Sequence, residues 1–564
     1  MASLLSKAHD RLLVKKHCAD GTTEPANFLD NDSIRPTPVK DRTWTSVTYS
    51  AFWFAATANV SNLYAASTGQ SAGLSMWEAL ACSLGGQLLA GCLMALNGRA
   101  GALYRIPFPV ACRASFGTWG ALWPTFNRAV MSIVWNGVNA VQGAQCLYVF
   151  LHAIFPSIAN IPDIMGSKSA LNSAQMLCFF LYWLINCAFL FVPVPRMRKL
   201  VHIKVAVYFA ATIAFVAWTL SQSGSVRKTL TEPSTVKGSE KSWLILKFFF
   251  LGLASCGTFI SNASDLQRYA SKPSDVIAGQ VFSFPMSNFL VGVFGNLIAA
   301  ASKGIFGEVI WNPLTTLDML MQGDRHTSAN RAGCALISFA YVYSTVFSAI
   351  FENSIPRPLN LHSAGNDIAA LMPKYITVKR GFFICAIISY AICPWYLLSS
   401  AAVFINFLSS YQIFLSAITG ILICDYYLLR RGVFDIPMLY SGHKDSTYHF
   451  FHGFNLRAFA VYLIAIAPNF YGFLFQMGVS APLGIQRFYY VAYPVGLLLA
   501  FGSFWLINTV FPSKNIPKVS GWKEPKDFVE SHDGTFVNVV IDSSDAASGD
   551  QEMGNAQKSA TEKY

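Results

Sequence analysis

The sequence predicts an all-α integral membrane protein of about 12 transmembrane helices, with a polar arm at residues 1–45, a transmembrane domain at 46–512 and a disordered tail at 513–564. Three observations predict it. Hydrophobic residues make up 53% of the 564 and charged residues only 12%, where a soluble domain carries about 25% charged residues. Apolar windows of about 20 residues recur along the chain, each long enough to cross about 30 Å of hydrocarbon as a helix rising about 1.5 Å per residue. Basic residues gather in alternate loops.

The expected spans lie near 46–69, 73–97, 121–153, 174–193, 199–220, 242–263, 276–301, 330–355, 381–398, 400–429, 457–477 and 487–511. The loop after the second span holds Arg99, Arg105 and Arg113, and that after the fourth holds Arg196, Arg198, Lys199 and Lys204. Lys374, Lys379, Arg380, Arg430 and Arg431 fall on the same side, whereas 154–173 has only Lys168. This asymmetry places both termini in the cytosol. Two outer loops depart from it, with Arg227, Lys228, Lys237 and Lys241 in one and Lys303, Arg325 and Arg331 in the other. The formal charge of +12 is thus a topology signal, and its spread over short loops argues against a nucleic-acid partner.

The first 43 residues are polar and mixed in charge and read as a solvated arm. From about Gly521 the tail turns acidic and polar without periodicity. Its Lys523, Lys526, Lys558 and Lys563 are places for endocytic or ubiquitination machinery, although solvated linkers look the same. Ten of the 12 cysteines sit in or beside apolar runs with no CxxC, which suits packing rather than disulfides or metal. No GxxxxGK[ST] or HExxH element occurs, nor a GxSxG on a strand-to-helix turn, so neither an enzyme, a cofactor nor a metal is expected.

What remains are polar groups at membrane depth, which are costly unless they meet a partner or a watered cavity. In the first span Asn59, Ser61 and Asn62 interrupt AATANVSNLYAAST. That pattern fits an unwound helix lending groups to a ligand, or a polar contact between helices. The third span carries IVWNGVNAVQGAQC, where Trp135 and Asn139 at i, i+4 share a face. An indole with a carboxamide beside it suits a flat, neutral, hydrogen-bonding ring. Gly137, Ala140, Gly143 and Ala144 admit close approach of a ligand or of another helix. The sixth span has small residues at Gly252, Ala254, Ser255 and Gly257, again compatible with a broken helix. Glu352 at the end of the eighth span is an intramembrane carboxylate and a proton-coupling candidate. Lys247 in the sixth is a second candidate, unless it snorkels to the outer surface.

Several stretches carry a family resemblance: RPTPVKDRTW, LNGRAGALYRIPFPVACRASFGTWGALWPTFNRAVM, VWNGVNAVQGAQC, SDLQRYASKP, AGNDIAALMPKYITVKRG, CPWYLLSSAAVFINFLSSY and ICDYYLLRRG. In this order they resemble the fungal Fur branch of the nucleobase–cation symport-1 family, which includes uracil, uridine and allantoin permeases. The resemblance runs from about residue 30 to 515. It implies a LeuT-like fold, with two inverted five-helix repeats plus two extra helices, and a proton-coupled plasma-membrane importer of a small heterocycle. Within the same family, thiamine or nicotinamide riboside carriers are the alternative, and a non-transporting sensor is a further one.

Carried over residue by residue, Trp135 matches the family's stacking tryptophan. Asn139 stands where members commonly have glutamine. Asn353 matches the asparagine of the eighth span that hydrogen-bonds the substrate. Cys256 sits where some bacterial relatives place a second aromatic, and Gly257 beside it offers backbone contacts. With Asn59 and Ser61, these are the expected substrate-binding residues. One departure is the segment RPLNLHS at 357–363, which intervenes where members read straight through. Pro356 and Pro358 there would break or displace the inner end of the eighth helix.

Overall fold

The computed structural model describes residues 12–17, 22–166, 168–189, 194–353, 363–517, 519–524, 529–530 and 536–537. The inserted segment 357–363 lies outside them apart from Ser363. Helices occupy every stretch expected to be a span. In chain order they are α1 (Ser46–Thr57), α2 (Val60–Ser71), α3 (Met76–Asn97), α4 (Arg99–Tyr104), α5 (Phe108–Phe116), α6 (Leu122–Ile154), α7 (Ser173–Phe189), α8 (Val194–Gln222), α9 (Gly238–Ala254), α10 (Gly257–Ser261), α11 (Ala263–Gln267), α12 (Phe284–Phe306), α13 (Pro313–Met319), α14 (Ser328–Asn353), α15 (Ser363–Leu371), α16 (Val378–Ala391), α17 (Ala401–Ser410), α18 (Gln412–Cys424), α19 (Leu456–Gln476) and α20 (Ala492–Val510). A π-helical turn, Ala278–Ser283, leads into α12.

Among the described residues six helices are long and apolar enough to cross a membrane by length and composition: Met76–Asn97, Ile203–Gln222, Asp275–Phe306, Ala401–Leu429, Leu456–Gln476 and Ala492–Val510. The first and sixth expected spans do not qualify because each is broken into shorter pieces. The core is centred on α18, where every residue but Phe414 is buried, with α20, α19 and α10 packed against it.

Both breaks follow from local chemistry. A helix end leaves carbonyls without partners, and in a membrane they must be satisfied internally. At the α1–α2 break the side chain of Asn59 accepts from the Asn62 amide at 3.1 Å, capping α2, and its Nδ2 donates to the Ala56 carbonyl at 2.8 Å. Asn62 Nδ2 donates to the Thr57 carbonyl at 2.9 Å. Lys204 Nζ on α8 donates to the Ala55 carbonyl at 2.7 Å, Tyr208 OH to that of Asn59 at 3.0 Å, and Ser344 Oγ on α14 to that of Ala58 at 3.1 Å. With the Phe54 carbonyl taken by the Ala58 amide at 3.2 Å, every carbonyl from Phe54 to Asn59 is bonded. The sixth stretch is interrupted at Ser255–Cys256 and again at Asn262. Asn97 Nδ2 on α3 closes the second gap by donating to the carbonyls of Ile260 and Ser261 at 2.7 and 3.2 Å.

Three sequence expectations are corrected. The arm is packed rather than solvated over residues 22–45: Asn31, Ile34 and Trp44 are buried. Trp44 bonds along the backbone to Tyr269 and Ser271 at 2.9 and 2.7 Å. Its edge is held by charge, with Asp30 bound by Lys16 at 3.0 Å and Arg35 at 2.7 Å. Burial raises the Asp30 carboxyl, but these two cations and their hydrogen bonds outweigh that and hold it below the usual carboxylate range. The start of the tail is packed as well. Glu524 forms a two-pronged pair with Arg99 at 2.9 and 2.6 Å, and Trp522 stacks on Tyr427 at 5.5 Å. Finally, Arg105, Arg113, Lys204 and Arg430, counted as loop charges, are buried. Each reaches a helix-end or loop carbonyl: Ala270 at 2.6 Å, Leu29 at 3.0 Å, Ala55 at 2.7 Å and Ala114 at 2.9 Å. Their donors replace the water that composition alone assigned to them.

Candidate functional site

The two breaks face each other across a cavity of about 220 Å³. Drug-sized pockets run to roughly 300–1,000 Å³, so the space suits a smaller ligand. Its walls come from α1, α2, α3, α6, α9, α10, α11, α12 and Leu408 of α17. Three of these walls carry the chemistry.

On α6, the i, i+4 spacing brings Trp135 and Asn139 to the cavity together. Trp135 is backed by Phe407 at 5.4 Å between ring centroids, inclined at 60°. That contact holds the indole while leaving it half-buried at the cavity wall. Asn139 Oδ1 accepts from Ser61 Oγ of α2 at 2.6 Å, and the same hydroxyl also meets Gln142 Oε1, one turn along α6 from Asn139. Asn136, not singled out in the sequence, also lines the cavity, and its Nδ2 donates to Ser389 Oγ at 2.9 Å. Gly137 and Gly143 serve helix packing instead. A Cβ on Gly137 would press on the Ser389 carbonyl at 2.9 Å, and one on Gly143 would overlap the Tyr182 ring.

At the breaks, Asn59 and Ser61 both line the cavity. The Asn59 amide is engaged at both ends by the break itself, so it shapes the wall, while Ser61 bonds across to α6. Cys256 lines the facing wall, with its Sγ 3.3 Å from the Gly252 carbonyl. Gly257 is turned away from the cavity. The next step of the helix aims its Cα hydrogen at Leu415 and Tyr493, each 3.4 Å from a Cβ built there. The cavity's further aromatics come from elsewhere in the chain, among them Phe52, Phe248 and Phe259.

Lys247 does not reach the cavity. Its ammonium lies 5.4 Å from the Tyr490 ring centroid, a cation–π contact that gives its charge a partner outside the cavity. Glu352 and Asn353 belong to the last turn of α14, and their side chains lie outside the described residues.

One end of the cavity holds a buried polar cluster that sequence reasoning missed. Arg128 of α6 pairs with Asp367 of α15 at 3.6 Å, with side-chain exposures of 4% and 0%. Ser132 Oγ donates to Asp367 at 3.2 Å. With the Asn262 amide oriented to satisfy both its ends, its oxygen accepts from Arg128 Nη2 at 2.7 Å. Asp265, also at the cavity, accepts from the Phe108 amide at 2.9 Å. A charged pair this deep in an apolar chain is stable only with such additional hydrogen bonds. The signal was an arginine inside an expected span.

A family profile described as permease for cytosine/purines, uracil, thiamine, allantoin matches residues 36–496. An uncharacterised permease of Schizosaccharomyces pombe is 36% identical over 492 residues, 87% of this chain and 82% of the relative. The uridine permease of Saccharomyces cerevisiae is 34% identical over 517 residues, 90% of this chain and 79% of the relative. Among solved structures, Mhp1, described as a nucleobase-cation-symport-1 family transporter in a closed conformation with bromovinylhydantoin bound, aligns with a TM-score of 0.65 at 21% identity, over 86% of this chain and 98% of that one. At that identity the likeness speaks for the fold, which is all-α and LeuT-like.

Proposed function

Since the chain belongs to the nucleobase–cation symport-1 family of permeases for cytosine/purines, uracil, thiamine and allantoin, we propose that it imports a small planar heterocycle, uracil-type before others, by proton-coupled alternating access. It is a multi-pass membrane transporter, not an enzyme. The observation that carries the substrate reading is the placement of Trp135 and Asn139 on one cavity wall, between two broken helices. A flat ring there exchanges water for an indole face and for hydrogen bonds to a carboxamide. Broken helices at the middle of a membrane are the setting in which transporters of this fold class build such sites.

The candidates for proton coupling are ionisable groups on the helices beside the breaks and on α14. Lys204 holds the carbonyl end of α1, and a charged ammonium there is favoured by the negative pole of the helix. Losing or gaining one proton changes the grip of α8 on α1. Glu352, in the last turn of α14, is the carboxylate candidate for the same role. Import at the plasma membrane, with both termini in the cytosol, completes the proposal.

The test is uptake of labelled uracil, uridine, allantoin, a purine and thiamine by a permease-deficient yeast expressing the chain, at two pH values and with a protonophore. Accumulation of one of the first four, lost with the protonophore, is the expected result. Thiamine uptake alone would favour the vitamin reading, and saturable binding without uptake a sensor.

A further inference from the structure

The heterocycle reading leaves open which atoms of the ring face α6, and the hydrogen bonds around Ser61 answer it. Ser61 Oγ lies at hydrogen-bond distance from two amide oxygens, Asn139 Oδ1 at 2.6 Å and Gln142 Oε1. A hydroxyl carries one proton and cannot donate to both. One amide must therefore be turned so that its NH₂ donates to Ser61. Gln142 is fully buried, and its Nε2 has no partner among the described residues. A buried carbonyl short of a partner is tolerated more readily than an orphaned N–H. Turning Gln142 removes the costlier orphan, and the bonds then run in one direction, from Gln142 Nε2 to Ser61 Oγ and from Ser61 Oγ to Asn139 Oδ1. The Asn139 oxygen is then occupied. Its NH₂, which no described group accepts from, is left to the cavity that Asn139 lines. A chain of aligned hydrogen bonds also polarises its terminal donor.

We propose that Ser61 and Gln142 are positioning residues that lock the Asn139 carboxamide with its NH₂ toward the cavity, so that the site selects a uracil-type ring presenting a carbonyl acceptor on the edge that faces α6. This rests on the heterocycle reading above. It predicts discrimination against a ring whose carbonyl at that edge is replaced by an amino group, because two donors would then face each other.

The probes are uracil, cytosine and isocytosine, the last two each replacing one uracil carbonyl by an amino group. Binding is measured on the purified full-length protein. In the unmodified protein one of the two amino analogues binds at least about tenfold more weakly than uracil, the scale of one lost hydrogen bond with an unpaired donor. Ser61→Ala frees the amide to turn, and the ratio falls to within about threefold, with folded protein verified by size exclusion. Ser61→Thr retains the hydroxyl and the ratio, which a merely structural role for Ser61 would not produce. A ratio unchanged in Ser61→Ala, while Trp135→Ala weakens all three probes, overturns the proposal and leaves the heterocycle site standing. Failure of all three probes to bind also overturns it. If labelled allantoin or thiamine then binds and Trp135→Ala abolishes that binding, the heterocycle site survives without it.

Discussion

Lys204 shows how a single basic residue is accommodated away from the water that the sequence assigned to it. Its side chain is fully buried, and its ammonium bonds the Ala55 carbonyl at 2.7 Å, at the end of α1. An isolated buried ammonium would be very costly, whereas one placed on the carbonyl pole of a helix is partly compensated. Lys204→Met keeps the length and apolar stem and removes the charge. Uptake in this variant is expected to lose its dependence on external pH and on the proton gradient, with substrate binding retained. Unchanged pH-dependent accumulation would remove Lys204 from the coupling. Arg128 and Asp367 are the same kind of case, since each lacks solvent and each depends on the other.

At the scale of elements, the two interruptions shape the cavity. The α1–α2 break persists because side chains stand in for the missing turn, with Asn59 serving both sides of it. Asn59→Ala removes an N-cap and a carbonyl partner together. A cap is worth about 0.5–2 kcal/mol, and the orphaned Ala56 carbonyl adds roughly 1–3 kcal/mol. The expected outcome is a lower thermal midpoint in detergent together with weakened uptake. An unchanged midpoint would mean that the break is set by packing alone. The α14 helix ends at Asn353 and α15 begins at Ser363, and Asp367 reaches Arg128 from that second helix.

At the scale of the whole molecule, the arm and the start of the tail pack against the two ends of α4. Asp30 ties the arm's own segments together through Lys16 and Arg35. Because its folded pKa is lowered, this contribution is complete above the unfolded value of about 3.9 and is lost as pH falls through the folded value. Limited proteolysis should therefore leave the arm protected at neutral pH and cut it progressively below about pH 4. Asp30→Asn should expose it at neutral pH, and equal protection of the variant would show that the ion pairs do not hold the arm.

Much of this architecture was legible in the residues. Window length and polarity located the helices, and Asn59, Ser61 and Asn62 marked the first break. The spacing of Trp135 and Asn139 placed them on one wall, where the structure has them. What escaped reading depends on distant partners. Arg128 and Asp367 meet only after folding, and Lys204, at the start of the expected fifth span, looked like a loop charge because its carbonyl partner lies on a distant helix. The packed arm is polar in composition but bonds chiefly through its backbone, which composition does not reveal.

The central claim is that a planar ring stacks on Trp135 in the cavity between the breaks. Its most direct test is equilibrium binding of whichever labelled heterocycle the uptake panel identifies, on purified protein and on Trp135→Ala matched for folded amount. Base–aromatic stacking is worth about 1–3 kcal/mol, so Kd should rise roughly ten- to a hundredfold. An unchanged Kd in a folded Trp135→Ala protein would contradict the account.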